Sequence, residues 1–337
     1  MGTGTFAEPT FEALLSAFGD DVVGLVTQPE RDGGNKRGST RQTGKGMANI
    51  AAARGFAIAQ PASINSPEGL AALREMKPDL LVVAAYGQIL SKDVLSVPTV
   101  GTINVHASLL PKYRGAAPVA YAILNGEKQT GVTIIKVTPG LDSGDMILQE
   151  AIDILPDDTT GELEARLAVL GAKLAVEAVR KYQSGEPVVG VKQDPALVTK
   201  APKIKKEFGL IDWSKPAVEI CNHVRAMQPW PTAYTFLHRP GKEPMRVIII
   251  KCTGPGFHHR SKMPPPPGII MRHDLSGLAT PKSPADHWVH LHVQAAGTSF
   301  VRVISVQPAG KKPMTVRDFL GGHQFQYGWR FGPEVLS

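Results

Sequence analysis

The stretch PDLLVVAAYG, residues 78–87, constrains the fold more than any other. A continuous apolar run of this kind reads as a strand covered on both faces, with helices above and below a parallel sheet. The flanking segments agree. FEALLSAF, KGMANIAAARG and SPEGLAALREMK read as helices, with Gly55 as a stop and Ser66 as an N-cap ahead of Pro67. DVVGLVTQP, FAIAQP, GTINVHA, GVTIIKV and MILQEAIDI read as strands. YAILNG is a short helix, and TTGELEARLAVLGAKLAVEAVRKYQSG is a long amphipathic one. Alternating strands and helices predict an α/β architecture with a doubly wound, mostly parallel sheet. Ligands of such sheets bind beyond the carboxyl ends of the strands.

A length of 337 residues suggests two domains. The first is expected over 1–189. Residues 190–207, GVKQDPALVTKAPKIKKE, are basic and aperiodic and read as a linker. IDWSKPAVEICNHVRAM then reads as a helix capped by Ser214 ahead of Pro216. Within 208–337 the β-branched runs RVIIIKC, GIIM, HWVHLHVQ and FVRVISVQ predict a small antiparallel barrel, OB-like in size. KMPPPPG at 262–268 reads as a rigid surface loop, with a peptide-ligand role as the alternative. Charge is split between the two parts. Residues 1–199 carry 18 Lys/Arg and 22 Asp/Glu, a balance of −4; residues 200–337 carry 19 and 8, a balance of +11. A basic domain joined to a mildly acidic one suits a polyanionic partner, although a basic surface also serves solubility. No run approaches the ~18 apolar residues of a membrane span, and the first residues lack a secretory pattern. Cys221 and Cys252 make no disulfide or metal framework. A cytoplasmic monomer with no membrane attachment is expected.

The chemistry concentrates in INVHASLLPKYRGAAP, residues 103–118. Residues i and i+2 of a strand share a face, so Asn104 and His106 project together near the end of GTINVHA. An amide can donate to a developing oxyanion, and an imidazole can move a proton. PGLDSGD at 139–145 offers Asp142 and Asp145 as carboxylate partners. No Ser or Cys of nucleophile type stands beside them, and there is no Walker-type loop. No metal cluster is evident either: His290 and His292 share a strand face but lack a third ligand. The nucleophile would therefore come from the substrate. Spacing alone also permits a plainer role, in which both side chains satisfy local backbone groups.

Further stretches narrow the reading. These are MGTGTFA, VVGLVTQPERD, AYGQIL, GVTIIKVTPGLDSGDM, APKIKKEFGLIDWSKPAVEI, RAMQPWPTAY and KKPMTVRDFLGGH. With INVHASLLPKYRGAAP they closely resemble the methionyl-tRNA formyltransferase family, nearly end to end. Asn-x-His with SLLP would mark only the wider class of formyl-tetrahydrofolate enzymes; IDWS and PWPTAY point to the tRNA branch. The resemblance implies a Rossmann-like formyltransferase sheet followed by a tRNA-binding barrel. It implies transfer of a formyl group from 10-formyltetrahydrofolate to the α-amine of methionyl initiator tRNA, for translation initiation. Asn104, His106 and Asp142 fall on the family's catalytic triad, with Asp145 as the alternative carboxylate. Ser108, Leu109, Leu110 and Pro111 would line the folate pocket, and Leu80–Ile89, with Tyr86, Gly87 and Gln88, would form another wall. Tyr113 and Arg114 either meet substrate or belong to a solvated loop with one packed aromatic.

The Gly-rich segment 28–46 carries Arg31, Lys36, Arg37, Arg41 and Lys45 and suits phosphate contact. It departs from the family's PxGRGKK run: Asn35 stands where an arginine is usual, so Lys36 or Arg37 would substitute. Lys200, Lys203, Lys205 and Lys206 extend the basic track. The family normally completes a strand before MGTGTFA, so a natural start several residues upstream is expected, which N-terminal peptide analysis of native protein would check. Two other readings remain at this point: a formyltransferase for a sugar-nucleotide or glycinamide amine, and a catalytically idle RNA-binding protein.

Overall fold

The structure, a computed structural model, describes residues 1–29, 46–254, 265–273, 290–323, 325–326 and 328–336. The chain divides into two compact units, Met1–Ala122 with Glu127–Lys203, and Ile123–Gly126 with Ile204–Ser337.

In chain order the first part contains α1 (Ala7–Phe18), β1 (Leu25–Val26), α2 (Met47–Ala52), β2 (Ile58–Ala59), α3 (Pro67–Glu75) and β3 (Leu80–Ala84). Then come α4 (Lys92–Leu95), β4 (Gly101–His106), α5 (Pro118–Leu124), β5 (Gln129–Lys136), β6 (Met146–Asp153) and α6 (Thr160–Gln183). Local chemistry sets the helix starts. Ser66 caps α3 by accepting the Gly69 N–H at 3.2 Å, with Pro67 in the first turn. Thr159 and Glu162 form a reciprocal capping box at α6.

β1 and β2 pair in parallel, as do β3 and β4. Met1 and Gly2 stitch these pairs together. The Met1 amino group donates to the Val82 carbonyl at 2.7 Å, Ala84 N–H donates to Met1, and Gly2 N–H donates to Val26. Parallel pairing therefore governs the sheet as far as β4. β5 then runs antiparallel to β4, and β6 antiparallel to β5. Strand–helix alternation does not foresee this reversal. The seven-residue α5 does not cross the sheet, so β5 starts at the end where β4 stops. One apolar cluster under β3 consists of Val26, Ile64, Leu73, Leu81, Val83, Tyr86 and Val94.

Residues 190–207, expected as a linker, do not form a free tether. Val191 exchanges backbone hydrogen bonds with Met146 at 2.8 Å, and Arg114 pairs with the 199–201 backbone. Gln193 is buried and Ala201 fully so.

The second part contains α7 (Ala217–Ala226), β7 (Tyr234–Arg239), β8 (Lys242–Thr253), β9 (Ile270–His273), β10 (His290–Gln294) and β11 (Phe300–Pro308), followed by β12 (Met314–Thr315), α8 (Val316–Gly321) and β13 (Arg330–Gly332). The antiparallel order is β13-β7-β8-β11-β10-β9, with β12 on β11. Ile269 bridges Arg330, and Phe331 N–H donates to Gly268, so the sheet curls into a nearly closed barrel. Gly268 permits this closure: φ is +85°, and a Cβ there would lie 2.1 Å from the Phe331 carbonyl oxygen. Val247, Ile249, Val293, Val301, Val303 and Phe331 fill the interior. Trp213 stacks on Phe331 and donates its indole N–H to Thr235 at 3.0 Å.

Ser214 does not cap α7. Pro216 occupies the N-cap, and Ser214 instead donates its hydroxyl and N–H to the Asp212 carboxylate, closing a local turn. Cys221 and Cys252 are free thiols with their sulfurs 3.4 Å apart. His292 is buried in β10, and the described residues contain no metal-binding group. No described helix is long and apolar enough to cross a membrane. Residues 262–264 of KMPPPPG lie outside the described residues.

Candidate active site

β4 carries Asn104 and His106 to the edge of the site. Ile103 and Val105 are buried, while Asn104 stays half-buried. His106 lies at the last position of the strand, opposite Thr133 of β5.

The imidazole of His106 is 5% exposed and faces two acceptors. Nε2 lies 3.0 Å from the Tyr113 carbonyl oxygen, and Nδ1 lies 3.6 Å from Asp142 Oδ2. A hydrogen bond to a carbonyl needs the proton on Nε2, so Nδ1 is the basic nitrogen of the neutral ring. Burial pushes the ring's pKa below its ordinary 6.5. The Asp142 carboxylate and the Tyr113 carbonyl raise it in part, and Arg114 lowers it. Of the two candidate carboxylates, Asp142 is the one beside the ring. The Asp145 backbone instead joins the sheet edge, accepting the Lys136 N–H at 3.0 Å.

Asp142 is held tightly. Its Oδ2 accepts the Gly115 N–H at 2.8 Å. Gly115 has φ +125°, and a Cβ there would sit 2.6 Å from the Ala201 carbonyl oxygen, so only glycine fits. Asp142 itself has φ +45°, in the left-handed region that non-glycine residues seldom occupy. Gln193, in the expected linker, donates to the carbonyls of Asp142 and Gly144, both at 2.8 Å. The Asn104 carboxamide, by contrast, has no partner among the described residues and is left to meet a ligand.

The SLLP turn forms a rigid shelf beside this corner. Ser108 and Leu110 are buried, with Leu109 and Pro111 half-buried. Thr133 donates to the Ser108 carbonyl at 2.6 Å and accepts the Leu110 N–H at 3.2 Å. Gln149 donates to the Leu110 carbonyl and to Thr133 Oγ1, both at 2.9 Å. The shelf is thus pinned by two side chains that sequence reading left out. Their only signal was a polar residue placed inside an apolar strand pattern.

The AYGQ wall differs from its expectation. The Tyr86 ring is 2% exposed and packs in the core cluster, so it offers no face to a flat ligand. The Gln88 carboxamide is spent on the Ile64 N–H at 2.9 Å and the Ala62 carbonyl at 3.2 Å. Outward, this segment presents Ala85 and the backbone at Gly87, which is exposed at φ +81°.

Tyr113 is the packed aromatic of the second expectation, 5% exposed in a small apolar cluster, whereas Arg114 is not solvated: its side chain is spent inside the protein. The Tyr113 hydroxyl donates to Glu127 at 2.7 Å, which holds that carboxyl below its usual range. The Arg114 guanidinium donates twice to Gln193 Oε1, at 3.0 and 2.7 Å. Lys200, Lys203, Lys205 and Lys206 are exposed. Arg31, Lys36, Arg37, Arg41 and Lys45 lie outside the described residues.

Two family models match this chain: formyl transferase over residues 1–179, and formyl transferase, C-terminal domain, over residues 203–324. A methionyl-tRNA formyltransferase of Citrifermentans bemidjiense is 40% identical, across 100% of this chain and 96% of its own. One from Nitratidesulfovibrio vulgaris is 41% identical, across 96% and 92%. The chain belongs to the methionyl-tRNA formyltransferase family. Solved structures agree at the level of the fold. The sugar 3N-formyl transferase WlaRD superposes with a TM-score of 0.59 at 16% identity, covering 92% of this chain and 97% of that one. An N-formyltransferase of Helicobacter canadensis gives 0.58 at 18%, covering 90% and 96%. Against this family background, the Asn104, His106 and Asp142 corner occupies the formyl transferase domain, between β4 and the turn before β6.

Proposed function

We propose that this protein transfers the formyl group of 10-formyltetrahydrofolate to the α-amino group of methionyl initiator tRNA, in the cytoplasm, for translation initiation. The observation that carries the reading is the site's composition. A buried imidazole that faces a carboxylate lies on the same strand as an amide that has no partner among the described residues, in a chain 40% identical over its full length to a methionyl-tRNA formyltransferase.

The residues present suit the folate donor. The shelf of Ser108, Leu109, Leu110 and Pro111 and the exposed backbone at Gly87 would hold it. Bound there, it supplies an activated one-carbon unit. Asn104 donates its amide N–H to the formyl oxygen as negative charge builds there, a contribution of roughly 3–4 kcal/mol in the transition state. His106 takes the proton shed by the attacking amine at Nδ1. The resulting imidazolium is then hydrogen-bonded to the Tyr113 carbonyl on one side and faces the Asp142 carboxylate on the other. That stabilisation lasts only while the ring holds the proton, which His106 then gives to the departing nitrogen. Transfer of this kind is typically worth about 10²–10⁴-fold. Asp142 orients the ring and balances its transient charge.

The +11 balance of residues 200–337 suits a polyanionic acceptor. Lys203, Lys205 and Lys206, with Arg31, Lys36, Arg37 and Arg41, are proposed to meet tRNA phosphates. The test is formylation by purified protein with 10-formyltetrahydrofolate and either methionyl initiator tRNA or an amino-sugar nucleotide. Transfer to the tRNA, falling steeply as salt rises, is expected. Transfer to the sugar alone, or tRNA binding without transfer, would overturn the reading.

A further inference from the structure

Gln193 lies 51 residues beyond Asp142, in a stretch with no catalytic signature, yet it is 9% exposed and uses its whole carboxamide. Both N–H groups are committed, one carboxamide nitrogen serving the carbonyls of Asp142 and Gly144 at 2.8 Å each. Its oxygen accepts from Nε and one terminal nitrogen of Arg114 at 3.0 and 2.7 Å. It thus joins two segments. One is the turn that carries the carboxylate. The other is the 113–115 loop, which holds the imidazole through the Tyr113 carbonyl and the carboxylate through the Gly115 N–H. Asp142 sits in a disfavoured left-handed conformation, and such a residue persists only when its surroundings over-determine it. Among those surroundings the Gln193 amide grips the turn's own backbone at Asp142 and Gly144.

We propose that Gln193 is a positioning residue for formyl transfer, fixing the Asp142 turn against the Arg114 loop and so setting the carboxylate's approach to His106. The inference rests on the function proposed above. Gln193 touches neither reacting group; it acts through Asp142. Its loss therefore acts on the chemical step, where a displacement of about 1 Å can cost on the order of 10²-fold. Substrate affinity, set elsewhere, changes little.

The test uses full-length wild type, His106→Ala, Gln193→Met, Asp142→Ala and the Gln193/Asp142 double variant, compared by single-turnover formylation and by thermal melting. Gln193→Met keeps the side chain's length and removes all four hydrogen bonds. It is expected to lower kcat about 10- to 100-fold, with KM for tRNA and folate changed less than about threefold. In the Asp142→Ala background the same substitution is expected to change kcat less than about twofold, because a residue that acts through the carboxylate has nothing left to position. Gln193→Glu provides a second variant should Gln193→Met melt too low to assay: it keeps an acceptor for Arg114 and loses both donors to the turn. It is expected to lower kcat in the same way.

An equal loss in both backgrounds would overturn the inference, since it would show a general structural effect. So would unchanged kcat in Gln193→Met and Gln193→Glu while wild type formylates and His106→Ala does not. A folded wild type with no formylation would instead defeat the function on which the inference rests.

Discussion

Two pairs of segments in the first unit share in the family resemblance, and they use their side chains in opposite ways. In GTINVH and PGLDSGD the side chains converge. The His106 ring lies between the Tyr113 carbonyl and the Asp142 carboxylate, and the Asn104 amide has no partner among the described residues. In AYGQ and SLLP the side chains turn inward. Tyr86 packs in a core, Gln88 clamps residues 62–64, and Ser108 and Leu110 are sealed by Thr133 and Gln149. The first pair of segments acts through side-chain chemistry. The second supplies shape and backbone. Equal resemblance to a family thus does not mean equal contact with its ligands.

Substitutions can break that contrast. The largest effects belong to the convergent corner. His106→Ala is expected to lower kcat about 10²–10⁴-fold and Asn104→Ala about 10²–10³-fold, both measured by formylation at saturating substrates. Losses under threefold would place the chemistry elsewhere. Gln149→Leu comes next. It strips the Leu110 carbonyl and Thr133 of a donor and is expected to cost about 1–3 kcal/mol of stability in urea titration. It should also raise KM for the folate more than it lowers kcat. A drop confined to kcat would mean that the shelf takes part in the chemical step.

Tyr86→Phe should have the smallest effect. The Tyr86 hydroxyl is buried without a partner among the described residues, so its removal should cost no stability and gain up to about 1 kcal/mol. A clear loss of Tm would reveal a partner, and with it a different role for the ring.

Much of this was legible in the sequence, for identifiable reasons. The apolar run of β3, the Ser66 cap and the α6 amphipathicity are local signals, and each local preference agreed with the fold. The i, i+2 spacing of Asn104 and His106 placed both on one face of a strand, which holds wherever that strand pairs. The antiparallel turn-back of β5 was not legible, because a short helix such as α5 looks the same whether or not it crosses the sheet. Gln193 was missed for a related reason. Its partners are backbone carbonyls about 50 residues away, and backbone carbonyls leave no trace in a sequence. Tyr86 shows the converse: an aromatic beside glycine reads as a ligand platform until the packing around it is known. Ser214 had the right chemistry for a cap, but Asp212, two residues earlier, competed for its hydroxyl.

The central claim is that a neutral, buried His106 carries the proton, with Asp142 holding its charge. The pH dependence of kcat at saturating substrates tests it most directly. Burial lowers the ring's pKa, so His106 stays neutral at pH 7 and loses function only when acid protonates it. The account predicts a plateau near neutrality and an acid limb whose midpoint lies below about 6.5. In Asp142→Asn the plateau should fall and the limb should move to still lower pH, because the carboxylate that raises the ring's pKa is gone. An acid limb that stays in place in Asp142→Asn, or persists in His106→Ala, would contradict it.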